Sequence, residues 1–210
     1  MRKLLIWLTL ILVLFMFASA SAASKTTHRS GNYGGGKWAL GGYVGYGFGF
    51  GDAFKDYEAG YYDPYTQQFV GFSWNNKLTF NLGAKIKYLY SPNLSFVGHL
   101  DYQAGDVDFK AGAGGYHYGV SDSYDFTAIL ADAVYTLSPE KVTTPYVNGG
   151  LGLYMDGDTN LGMNMGGGLE HFFQDNLALD VAAMFHIIFT SGNSTTFIQL
   201  KGGLNYYFGK

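Results

Sequence analysis

From Lys37 onward, apolar and polar residues alternate with a period of two, the repeat that sends successive side chains to opposite faces of a β-strand. The clearest stretch is Lys77–Tyr90, where Leu78, Phe80, Leu82, Ala84, Ile86, Tyr88 and Tyr90 form one set. Lys77, Thr79, Asn81, Gly83, Lys85 and Lys87 form the other. A helix would scatter both sets around its circumference, whereas a strand separates them. The same reading gives seven more strands, at about 37–50, 94–103, 122–137, 143–155, 161–173, 176–190 and 198–208. In the segment 122–137 the phase is ambiguous. The preferred reading turns Asp132 inward and Ile129, Ala131, Ala133, Tyr135 and Leu137 outward.

The connections are unequal. Residues 91–93, 138–142 and 174–176 form short turns on one side. On the other side, residues 51–76 and 106–121 read as long loops, while 156–160 and 191–194 are short. Eight strands with short turns at one end and longer loops at the other predict an all-β, antiparallel, up-and-down transmembrane barrel of the bacterial outer-membrane type. Hydrocarbon cannot satisfy a bare sheet edge, so the sheet has to close. Alternation alone gives two faces and not their sidedness. The rival is therefore a soluble, lipocalin-like barrel with the apolar set inside, although eight strands leave little room for it.

Composition sharpens this picture. Glycine accounts for 31 of 210 residues and aromatics for 18%, with 4 prolines, which suits close strand packing with aromatic girdles. There is no cysteine, which excludes a disulfide scaffold and a thiolate metal site. The net charge of −3, without a basic run, argues against a nucleic-acid partner. The N-terminus has the order of a secretory signal: Arg2 and Lys3, an apolar run from Leu4 to about Phe17, then small residues up to Ala23. The expected organisation is a signal peptide over 1–22, cleaved between Ala20 and Ala23, a flexible lead-in over 23–36 and the barrel over 37–208.

Four segments carry a resemblance. Gly166–Phe189 (GGGLEHFFQDNLALDVAAMFHIIF), Gly202–Phe208 (GGLNYYF), Tyr43–Phe50 and Thr144–Tyr154 resemble the small outer-membrane β-barrel domain family. That family includes the opacity-type proteins and relatives of the transmembrane domain of outer-membrane protein A, with a porin-like classification. The resemblance implies a Gram-negative outer-membrane location, contact with outer-membrane lipid and a terminal aromatic read by the barrel assembly machinery. The residues matching that signal are Leu204, Tyr206 and Phe208, after which Gly209 and Lys210 follow. The family is functionally mixed, so it speaks to fold and location more than to activity.

In the preferred phase, the lumen receives Lys85, Lys87, His99, Asp101, Asp132, Asn164, Glu170, Asp180, His186 and Lys201. Buried charges must pair, so these residues are expected to form an internal network that plugs the lumen. The alternative is a narrow polar pore or a small-molecule conduit. No catalytic, metal or cofactor site is assigned. His186 is followed by Ile187 and Ile188, which does not reproduce the His-x-Ser pair of the lipid A deacylases. Asp156–Asn160 begins like a calcium loop but has Leu161 and Gly167 at its sixth and twelfth positions, so it reads as a polar hairpin turn. The expected role is structural or surface-interacting. Any extracellular ligand or host surface would be met by residues 51–76, rich in Tyr and Asp, and 106–121.

Overall fold

The computed structural model describes residues 35–50, 57–65, 67–113, 116–191 and 194–208. The expected signal peptide and most of the lead-in lie outside these residues. The strands are β1 (Lys37–Phe50), β2 (Tyr57–Asp63), β3 (Gln68–Leu89), β4 (Leu94–Ala113) and β5 (Tyr116–Thr136). They continue with β6 (Thr143–Asp156), β7 (Asp158–Gln174), β8 (Leu177–Phe189) and β9 (Ser194–Phe208). All neighbours are antiparallel, in the order β1-β9-β8-β7-β6-β5-β4-β3-β2. An additional pairing, Lys37↔Leu89 to Tyr46↔Phe80 between β1 and β3, closes eight strands into a barrel and leaves β2 outside the ring.

Sidedness is resolved by exposure. Leu40, Leu100, Ile129 and Leu151 are 54%, 55%, 52% and 56% exposed, and Val44, Phe80, Leu82, Phe96, Val147 and Leu204 join them on the outer surface. A continuous apolar belt of this kind cannot face water. It excludes the soluble, inside-out rival. The charged set turns inward: Lys87, Asp101, Asp132, Glu170, Asp180 and Lys201 are all buried. The phase preferred for 122–137 is the one observed, with Asp132 buried and Ile129, Tyr135 and Leu137 exposed.

Glycine makes two local features possible. Gly157 has a φ of +71° at the tight β6–β7 turn, where Asp156 pairs with Asp158. At Gly83 an added Cβ would run into the Tyr43 ring and the Asp101 carboxylate, so the missing side chain is what admits that tyrosine into the lumen.

Two expectations need correction. Residues 51–76 and 106–121 are not simply loops. β3, β4 and β5 run to 22, 20 and 21 residues against 14 in β1, and β2 adds a ninth strand on the β3 edge. At about 3.3 Å per residue, the extra length raises a four-stranded sheet well clear of the barrel. The second correction concerns phase. Leu78, expected outward, is buried (2%), and Lys77, expected inward, is exposed and pairs with Asp108 at 3.5 Å. A β-bulge between Leu78 and Asn81 is the cause: the β3–β4 register passes from Leu78↔Gly105 to Asn81↔Gln103. One extra residue on β3 flips every side chain above it. Gln103 stabilises the irregularity by donating from Nε2 to the Phe80 carbonyl (3.0 Å) and the Ala104 carbonyl (2.8 Å).

Candidate functional site: the barrel lumen

Inward residues of all eight ring strands form three layers. At the short-turn end, Ala39, Leu89, Phe172, Ala178 and Tyr207 pack together, with Val142 against them. At the opposite end, Leu78, Ala128, Leu130, Tyr154, Ile188 and Phe197 form a second apolar cluster, joined by Tyr124 and Phe126. Between them lies a polar layer.

Four acids organise that layer: three face a lysine, and Asp132 faces the His99 imidazole. Glu170 (1% exposed) accepts from Lys87 at 3.0 Å, and from the Asn205 amide and Tyr207 hydroxyl at 2.5 Å each. Asp180 pairs with Lys85 and accepts from the Tyr146 hydroxyl at 2.7 Å. Asp101 pairs with Lys201 at 3.0 Å and accepts from the Tyr43 hydroxyl. Asp132 faces His99 Nε2 at 3.3 Å and accepts from Asn148 (3.0 Å) and Asn164 (2.9 Å). Removing a carboxylate from water costs several kcal/mol, so each acid survives burial only because a lysine, or for Asp132 an imidazole and two amides, surrounds it with donors.

The structure thus places all ten sequence-designated residues inside the barrel. Nine join this layer. His186 instead accompanies the upper apolar cluster, stacking on Phe197 with centroids 4.5 Å apart and an interplanar angle of 2°, and meeting the Tyr154 hydroxyl at 2.9 Å through Nδ1. Sequence reasoning omitted Tyr43, Tyr146, Asn148, Asn205 and Tyr207, which complete the acids' coordination. The signal was available for Asn205 and Tyr207, which share the inward phase of Lys201 on β9, whereas Tyr43, Tyr146 and Asn148 lie on β1 and β6, which carry no designated charge. The omission came from attending to charges and overlooking the neutral donors that a buried carboxylate requires.

The remaining space is small. A cavity of ≈ 40 Å³ lies between Tyr43, Lys85, His99, Tyr146, Asp180 and Lys201. That is room for roughly three water molecules. Among the described residues, no group of three or more histidines and acids is arranged to hold a metal ion. The residues of the terminal motif, Leu204, Tyr206 and Phe208, all lie exposed on the outer face of β9, 43%, 52% and 40% accessible.

Comparison with solved structures gives the architecture a reference. The chain superposes on Neisserial surface protein A with a TM-score of 0.52 at 16% identity, covering 82% of this chain and 99% of that one. It superposes on the outer-membrane protein OprG of Pseudomonas aeruginosa with a TM-score of 0.52 at 11% identity, covering 86% and 100%. This chain has the fold of the small outer-membrane β-barrels. No family model matches the chain. No curated protein matches it. At these identities the likeness concerns backbone architecture, and the lumen chemistry has to be argued from this chain's own residues.

Proposed function

We propose that this chain is an integral outer-membrane barrel with a closed polar lumen, whose outward role is interaction at the cell surface through the raised β2–β5 sheet. The observation that carries the closed lumen is the pair of apolar layers. Leu89 and Ala178 at one end and Leu130 and Phe197 at the other are at most 1% exposed, so neither mouth admits solvent freely. In the charge layer between them every acid is engaged, three by lysines and Asp132 by His99 and two amides, which leaves no bare carboxylate lining a path for an ion.

The apolar belt supports insertion into lipid. The signal-like residues 1–22 support export, and the exposure of Leu204, Tyr206 and Phe208 on β9 supports a role for them as the assembly signal. His99 and His186 both lie inside the lumen, away from the lipid face where a lipid-modifying enzyme would work. The ≈ 40 Å³ cavity beside three lysines is the one observation that favours the second reading, a narrow pore.

The test is solute flux. Protein refolded into lipid vesicles, with folding verified by the mobility difference between boiled and unboiled samples, should leave the vesicles unswollen in an isotonic neutral sugar. Swelling at a rate that scales with protein content would overturn the closed-lumen reading.

A further inference from the structure

The polarity of the strands inverts where they leave the barrel. Within the ring, apolar side chains face out and charges face in. Above the bulge the lumen-facing side becomes apolar. Tyr61 and Phe72 stack with centroids 6.0 Å apart, and Phe72 meets Phe109 at 6.3 Å, so all three share a face. Phe109 pairs across the strands with Val120, and Ala111 with Tyr118, which extends the same face onto β5. This face is continuous with the lumen, because Gly105 and Tyr124 precede it in the same phase and Tyr124 packs on the upper apolar cluster. The opposite face carries Ser73, Lys77, Asp106, Asp108, Lys110 and Ser121, with the Tyr62–Phe69 pair at its tip.

The polar outer face keeps the raised sheet out of lipid, so the inner face is not a membrane surface. It is nevertheless open: Tyr61 is 55%, Tyr118 66%, Val120 43% and Phe109 37% exposed. Beyond the contacts of Phe72 to Tyr61 and Phe109 within the wall itself, no further ring contact among the described residues covers these side chains. The strands across the mouth end low, at the tight Gly157 turn and near Phe189.

The charge around the wall selects what could cover it. Asp122 is exposed on the wall's own face of β5 and Asp156 and Asp158 are exposed in the adjoining turn, while Asp106, Asp108 and Asp125 add negative charge on the opposite face of the same strands. Among the described residues of the raised sheet, Lys77 and Lys110 are the lysines, and both stand on the opposite face. A second copy would bring two acidic rims together, and the anionic headgroup of a phosphorylated lipid would meet the same repulsion. Building on the surface-interaction reading above, we infer that the apolar wall of β2–β5 docks a basic polypeptide segment, its aromatic or aliphatic side chains against Tyr61, Phe109 and Tyr118 and its lysines or arginines toward the aspartates. Such a surface combines aromatic anchors with charge steering at the rim.

The test uses the full chain folded in nanodiscs of zwitterionic lipid, with fluorescently labelled synthetic peptides as probes: one of lysine and tryptophan, one of glutamate and tryptophan, one of lysine and serine. The lysine–tryptophan peptide should bind saturably, and the other two at least about tenfold more weakly. Phe109→Ser combined with Tyr118→Ser should lower its affinity roughly tenfold. Asp122→Asn with Asp125→Asn should weaken it and flatten its salt dependence. These positions lie outside the barrel, and the heat-dependent mobility shift verifies that each variant has folded. Equal binding of the glutamate–tryptophan peptide, or wild-type affinity in the wall variant, overturns the assignment. If the acidic peptide binds and the wall variant abolishes it, the surface-interaction role stands and the basic partner falls. If no peptide binds the folded protein, both fall.

Discussion

At Glu170 the cost of burying a charge and the means of meeting it are visible together. The carboxylate is removed from solvent, and three side chains from β3 and β9 converge on it: Lys87, Asn205 and Tyr207. Glu170→Gln keeps the shape and removes the charge, leaving the Lys87 ammonium buried without its counter-ion. It is expected to lower unfolding stability by about 3 kcal/mol, read as a lower urea midpoint for protein folded in vesicles. A midpoint equal to wild type would mean that the pair contributes nothing. Gly83 tests the complementary constraint of space. Gly83→Val would press a branched side chain into the Tyr43 ring and the Asp101 carboxylate. A loss of roughly 1–3 kcal/mol is expected from overpacking, measured the same way. Asp108, on the raised sheet, offers a titration test. The Ser121 hydroxyl, 2.6 Å away, is the main influence holding its carboxyl below the ordinary aspartate value, with the Lys77 ammonium assisting. A depressed folded-state value means that the Lys77–Asp108–Ser121 contacts are present above the ordinary carboxylate range and are lost as pH falls through the depressed value. Ser121→Ala should therefore move the Asp108 midpoint upward in an NMR titration, and an unchanged midpoint would remove the hydroxyl from the account.

Among the elements, β3 shows what a sequence reveals and what it conceals. From Asn81 to Leu89 the alternation is read correctly because lipid lies on one side and a charged layer on the other, and each accepts a different class of side chain. At Leu78 that contrast disappears. The lumen there is closed by Leu130, Tyr154 and Phe197, so an apolar side chain is welcome on either face, and an unbroken run of alternating residues conceals a bulge. The extension of β4 was legible in part. Val107 and Phe109 alternate with Asp106, Asp108 and Lys110, a strand pattern obscured by the charge density that usually marks a loop. The β2 strand was beyond reach, because its pairing depends on β3 reaching past the membrane. Gln103 is the support on which this arrangement rests. Gln103→Ala would leave the Phe80 and Ala104 carbonyls without their donor. Amides of Val70–Lys77 should then exchange faster with solvent deuterium, while those of β7 and β8 remain protected. Uniform exchange in both regions would place the bulge under other control.

For the molecule as a whole, three boundaries follow from one chain of reasoning. The apolar belt sets where lipid lies. In the proposed reading, the paired polar layer lets eight strands enclose polar atoms without a solvent-filled channel. The polarity inversion above Leu78 marks where the protein emerges into water. The absence of cysteine makes the lipid boundary directly testable by single substitutions. Ser123→Cys should react with an aqueous maleimide on protein in vesicles, whereas Ile129→Cys, on the belt, should be protected until detergent is added. The central claim is closure, and conductance in a planar bilayer measures it most directly. Refolded protein that shows the heat-dependent mobility shift should give no discrete current steps over the accessible voltage range if, as proposed, the apolar layers close both ends of the paired polar core. Steady, reproducible steps from that same folded protein would contradict the account and make the lysine-lined cavity part of an open path.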